Sequence, residues 1–143
     1  MEFSLFCDLE SLEISRSGTI WGGVWIEAAD EKFPEPGWND MPVAFTCELT
    51  SALVAARERK FLSRQVRFYD GPFWLIVESS SPGDLVVTLG GSDGKKVLKP
   101  LPVAKALEHV FPTVLGLLHT CRARGWGENP DVVSLAHVVA SLE

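Results

Sequence analysis

Residues able to do chemistry are few and scattered in this 143-residue chain. His109, His119 and His137 are the three histidines, and a metal site needs such ligands gathered at close spacing. No HxxxH, HExxH or CxxC arrangement occurs, and His119 and Cys121, two apart, point to different faces of any helix. Cys7, Cys47 and Cys121 are odd in number, far apart and set among apolar neighbours. That suits buried thiols in a reducing compartment better than a disulfide framework. A nucleophilic serine on a Gly-x-Ser-x-Gly elbow is missing. In GGSDGKK, Gly90 to Lys96, only three residues lie between Gly90 and Gly94 where a phosphate loop needs four, and a lysine stands where magnesium would need a hydroxyl. The sequel reads as strand, so a hairpin explains the segment better than a phosphate loop. The acids Asp30 and Glu31, or Glu35 and Asp40, could do acid–base work in an apolar cleft, although loop acids are ordinarily solvated. Arg57, Arg59, Lys60, Arg64 and Arg67 form a basic concentration that helix-end compensation largely accounts for. These readings predict no metal, no cofactor and a protein that binds rather than catalyses.

Charge gives that expectation a direction. The net charge is -6, and residues 1–48 carry ten acids against two bases, whereas residues 49–143 carry nine acids and eleven bases. Such an acidic third argues against nucleic acid, whose phosphates need a basic surface, and suits a basic protein partner. The first residues, MEFSLFCDLE, place acids where a secretion signal needs bases and a continuous apolar segment. No apolar run approaches the roughly 20 residues of a membrane span. The expected setting is the cytoplasm, away from membranes.

Tryptophan marks where binding could occur. Trp21, Trp25 and Trp74 fall in strand-like segments and are expected to pack, whereas Trp38 and Trp126 stand in loops beside glycine. FPEPGWNDMPVAF, Phe33 to Phe45, leads through Trp38 into a helical run. There Trp38 either staples the start of the helix or stands out as an anchor for a partner. The partner-binding set read from the sequence is therefore Asp30, Glu31, Glu35 and Trp38.

The elements that must position these residues follow from periodicity. Phe3, Leu5, Cys7 and Leu9 alternate with polar residues, with Phe6 alone on the polar face. The parity shift to Leu12 and Ile14 predicts a bulge or bend near Glu10 and Ser11. After a turn at Ser15 to Gly18, Ile20, Val24, Ile26 and Ala28 share one face of a strand and Trp21, Trp25 and Glu27 the other. Met41, Phe45, Leu49, Ala52, Leu53 and Ala56 predict a helix reaching Lys60, with Pro42 in its first turn and Asn39 or Asp40 as cap. QVRFYD, GPFWLIVESS, DLVVTLGG and SDGKKVLK read as four strands, the last pair joined at Asp93-Gly94. Leu107, Phe111, Val114, Leu118 and Cys121 predict a helix kinked or broken at Pro112 and ended near Arg122, Arg124 and Gly125. Asn129-Pro130-Asp131 starts a last helix with Val132, Val133, Ala136, Val139 and Ala140 inward. The expected fold is one α+β domain over residues 1–143, in the order β-β-α-β-β-β-β-α-α. One antiparallel sheet carries helices on one face.

Trp38-x-Asp40-x-Pro42, followed about 25 residues later by Phe68-x-Asp70-Gly71-Pro72-Phe73, resembles a group of small, largely uncharacterised bacterial cytosolic proteins. The resemblance covers about residues 33–78, and its motifs are structural. It implies a small α+β protein of the kind that includes immunity partners of secreted toxins. The chain is thus expected to be a non-enzymatic binding module for a basic partner. The alternative is a small enzyme or ligand binder with a pocket between sheet and helices, reaching Arg67, Tyr69 or a histidine.

Overall fold

The computed structural model describes residues 3–58 and 62–142. Alternating burial in the first thirty residues builds a long hairpin, β1 (Phe3–Ile14) and β2 (Ile20–Ala28), joined antiparallel. Two short strands, β3 (Glu31–Phe33) and β4 (Asn39–Asp40), lie along the other edge of β2 and complete a four-stranded sheet A. The chain then enters α1 (Pro42–Glu58), and a second meander follows: β5 (Ser63–Arg67), β6 (Trp74–Ser81), β7 (Asp84–Gly91), β8 (Gly94–Val97) and β9 (Leu101–Pro102). These form a five-stranded antiparallel sheet B. Two helices, α2 (Val103–Ala123) and α3 (Pro130–Leu142), finish the fold.

The α+β class and the order of long elements agree with the pattern in the sequence, but there are two sheets instead of one. The reason lies at the edges of sheet A. The free edge of β1 is covered by α2, whose Thr113 hydroxyl donates to the Leu5 carbonyl at 2.7 Å. Just beyond α2, Arg124 donates to the carbonyls of Leu12 at 2.6 Å and Leu9 at 3.1 Å. Those carbonyls flank the predicted bulge, which appears as a register shift between Asp8 and Glu13. β3 and β4 take the opposite edge of β2, and the strands of sheet B pair only with one another.

Helix α1 occupies the middle. Pro42, Val43, Ala44, Phe45, Thr46, Leu49, Thr50, Ala52, Leu53 and Ala56 are all buried, so its apolar surface runs almost all round, as a central helix requires. It touches α2, α3 and strands of both sheets. One continuous core joins the inner faces of both sheets to the three helices.

Local signals differ from expectation in four places. The α1 N-cap is Met41, whose carbonyl accepts the Phe45 N–H at 3.0 Å, and not Asn39 or Asp40. Of the kink or break expected at Pro112, the break does not occur: α2 runs through Pro112 as one helix, and the carbonyl left without its donor belongs to the exposed Glu108. In α3, Leu135 packs inward beside Val132 and Val139, while Val133 and Ala140 are exposed. The β7–β8 hairpin turns at Ser92 and Asp93, with Gly94 (φ 104°) following them. The end of α2 and the start of α3 read correctly. Gly125 at φ 80° donates to Arg122 and Trp126 donates to Cys121, the paired bonds of a Schellman stop. Asn129 caps α3 through its side chain to Asp131 N–H at 3.0 Å. Arg59 and Lys60, part of the basic concentration and of the predicted end of α1, lie outside the described residues.

Candidate binding face

Sheet A buries Phe3, Leu5, Val24, Ile26 and Ala28, and the pleat therefore sends Ser4, Phe6, Asp8, Trp25 and Glu27 to the opposite side. There Phe6 stands directly across from Trp25, with ring centroids 5.7 Å apart and planes 13° from parallel. Phe6 is 40% exposed, and Trp25 is half-buried. The Trp25 indole N–H donates to Glu27 Oε2 at 3.1 Å, which holds the carboxylate beside the aromatic pair. Further along the same face Trp21 stands opposite Glu13, and Ser4, Glu27 and Lys32 form one row across three strands. The face therefore combines three aromatic rings with the acids Asp8, Glu13 and Glu27 and one base, Lys32.

The WGGVW stretch owes its glycines to the bulge. A Cβ on Gly22 would lie 2.8 Å from Leu12 Cδ2, and one on Gly23 would lie 3.2 Å from Asp8 Cβ. The Ser11 hydroxyl donates to the Asp8 carbonyl at 2.7 Å and accepts the Gly23 N–H at 2.8 Å, closing the irregularity.

One end of the face opens into a surface concavity of about 670 Å³ lined by Ser4, Phe6, Glu27, Ala28, Ala29, Asp30, Glu31, Lys32 and Lys99. Its rim is the two-residue turn between β2 and β3, where Ala29 (φ 50°) and Asp30 (φ 65°) both take left-handed conformations. That is the mirror-turn geometry usually given to Asn-Gly, at a cost of about 1–2 kcal/mol per non-glycine residue. Glu31 is engaged by Lys96 of sheet B at 2.6 Å, and both side chains are substantially exposed. A smaller concavity of about 260 Å³ lies between α1, α3 and β5. Neither is lined by Arg67, Tyr69 or a histidine.

Of the four residues expected to bind a partner, Asp30 and Glu31 reach this rim together. Glu35 is exposed on the loop beyond it, and its carbonyl accepts the Trp38 N–H at 3.2 Å. Trp38 is turned inward. Its ring meets Phe73 edge-on at 5.1 Å, and its indole N–H donates to Asp40 Oδ2 at 2.9 Å. Phe73 also meets Phe33, which meets Phe68, which stacks on Phe45 at 4.0 Å. Asp40 is fully buried and takes three further donors: the N–H groups of Met41 at 2.7 Å, Tyr69 at 3.0 Å and Asp70 at 3.0 Å. The Trp-x-Asp-x-Pro and Phe-x-Asp-Gly-Pro segments are thus two halves of one junction, through which a single carboxylate ties sheet A to the β5–β6 connection. Asp40 and Glu35 form no acid pair.

The remaining reactive groups are placed for packing. Burial pushes the Cys7 thiol up from 9.0 to about 12 despite a Thr46 hydroxyl 3.8 Å away, and burial pushes Cys121 up to about 11 against the favourable charge of Arg124. Desolvation also raises Cys47, against a Ser51 hydrogen bond. All three stay protonated near neutral pH, the wrong form for a nucleophile. Tyr69, half exposed, donates to Glu48 at 2.7 Å, and desolvation followed by that bond raises its phenol. Among the described residues no group of three or more His, Cys, Asp or Glu could hold a metal ion. None of the described helices is long and apolar enough to cross a membrane.

Sequence reasoning missed the outward aromatic face, although its signal was present. Phe6 interrupts the polar side of β1, and both tryptophans of β2 have the parity opposite to its aliphatic residues. Two independent irregularities pointing to the same side of one hairpin mean a face that is aromatic by design of the pleat. No protein family matches this chain, and no curated protein or solved structure matches it either, so its function is argued from the chemistry of these surfaces.

Proposed function

We propose that this chain is a non-enzymatic protein-binding module, immunity-like in manner, that receives a basic partner on the outer face of sheet A. The observation that carries this reading is the stacked Phe6–Trp25 pair left open to solvent between carboxylates. A partner covering those rings would gain aromatic contact in a desolvated centre, where hot spots concentrate. Asp8, Glu13, Glu27 and Asp30 surround that centre and would steer lysines and arginines onto it, raising the rate of encounter. Glu35 adds to the same field from the neighbouring loop. Trp38 serves indirectly, because it fixes the segment from which β4 pairs with β2. Glu31, already engaged by Lys96, would contribute only by exchanging that partner.

The protein encoded beside this one is the first partner to examine by calorimetry, with a lysine-rich peptide as a surrogate. Phe6→Ala is expected to weaken binding by about 2 kcal/mol or more, and Glu27→Lys to slow association and reduce its dependence on salt. Binding unchanged in both variants would discard the face.

A further inference from the structure

Sheet B also has an outer face, and its cations lie together at the Trp74 end. Its rows run across the strands: Arg67, Trp74, Gly90 and Lys95 in one, Gln65, Ile76, Thr88 and Val97 in the next. Trp74 lies over Gly90 so closely that a Cβ there would stand 2.1 Å from Cζ2, which leaves the ring flat against the sheet between two cations. Val97, on the edge strand, is 61% exposed. The acids in these strands on that side are Glu78, two rows beyond the Trp74 row, and Asp84 at the far end of β7. An aromatic and aliphatic surface flanked by Arg67 and Lys95 complements a surface made of Phe6, Trp25 and Glu27.

We infer that the outer face of sheet B is a docking surface for the outer face of sheet A of a second copy of this chain. The inference rests on the reading of sheet A as an acidic aromatic binding face, and gives that face an occupant on hand whenever the protein is concentrated. Two twisted sheets stack face to face about 10 Å apart, with aromatic side chains filling the space and charges at the rim. Because the contact joins two different patches, it is heterologous and extends by addition of further copies unless its rotation closes a ring. A basic partner would compete with it, so self-association would mask the binding face until the partner arrives.

Sedimentation velocity from micromolar to millimolar protein at low salt tests this directly. The wild type is expected to rise above its 15.7 kDa monomer mass with concentration, and to return to it in high salt. Glu13→Lys/Glu27→Lys and Arg67→Glu/Lys95→Glu should each remain monomeric alone, yet associate when mixed, because each offers the charge that the other now needs. Circular dichroism melts verify that both variants fold, and recovery on mixing is a result that damaged folding does not produce. A wild type monomeric throughout, or variants that do not recover on mixing, would overturn the proposal. Titrating Arg67→Ala/Lys95→Ala with a labelled peptide of alternating lysine and leucine reads the sheet A face separately, with Glu13→Lys/Glu27→Lys as the control that should lose the peptide. Peptide binding without wild-type self-association discards the self-contact alone, and failure of both discards the sheet A reading with it.

Discussion

Two tryptophans in this molecule each donate to a carboxylate two residues on: Trp25 to Glu27 at 3.1 Å and Trp38 to Asp40 at 2.9 Å. The local chemistry is the same, but the surroundings differ. Asp40 is sealed from water and collects three backbone N–H groups, one from its neighbour Met41 and two from the distant pair Tyr69 and Asp70, and Trp38 closes over it against Phe73. Glu27 is half-buried on an open face, and its tryptophan stacks on a phenylalanine that solvent still reaches. Burial decides the role of the pair. Where every polar atom is satisfied internally and the ring is covered, the pair holds the fold together. Where the ring remains open, its apolar area is still available to something else.

The comparison breaks most readily at Asp40. A helix cap alone would be worth about 1 kcal/mol, but Asp40→Ala strands four donors in a dry junction, and urea unfolding should show a loss of about 4 kcal/mol. A loss near the cap value would mean that water replaces the carboxylate. The tryptophans sharpen the contrast next. Trp38→Ala is expected to cost about 3 kcal/mol, as for a large aromatic in a packed setting, whereas Trp25→Ala should cost less than about 1 kcal/mol while weakening partner binding. Equal losses of stability would erase the distinction between the two sites. The smallest effect concerns the rim of the open face. Ala29→Gly relieves a left-handed alanine and should raise stability by about 0.5–1 kcal/mol in the same unfolding assay, after the entropy cost of glycine is deducted. A destabilised variant would show that the turn is held in place by contacts of the alanine methyl.

The parts of the fold legible in the sequence are those in which one period runs long enough to be read. The hairpin β1–β2, its bulge, the α2 stop at Gly125 and the Asn129-Pro130 start of α3 all follow from parity or cap chemistry. The strands β3, β4 and β9 have three, two and two residues, too few for any period, and prolines stand in or beside them. Division into two sheets was illegible because strand partnership is a tertiary matter, as is the cover on β1, where Thr113 and Arg124 reach strand carbonyls more than a hundred residues away. At the candidate site, Asp30 and Glu31 were singled out by charge, and both line the concavity. Phe6 and Trp25 were passed over because an aromatic in a strand ordinarily faces a core. Trp38 and Asp70, read as pieces of separate motifs, meet only through Asp40, a tertiary contact that neither segment announces.

The bonds that cover the edge of β1 connect residues 108, 112 and 115 positions apart along the chain. On a ribosome, the first hairpin therefore emerges long before the helix that shields it. At ordinary rates of synthesis the interval is on the order of ten seconds. For that time a twelve-residue strand with unpaired carbonyls is presented to every other nascent chain in the polysome. Asp8, Glu10 and Glu13 punctuate the strand, and like charges of this kind oppose edge-to-edge pairing between neighbouring copies during the interval.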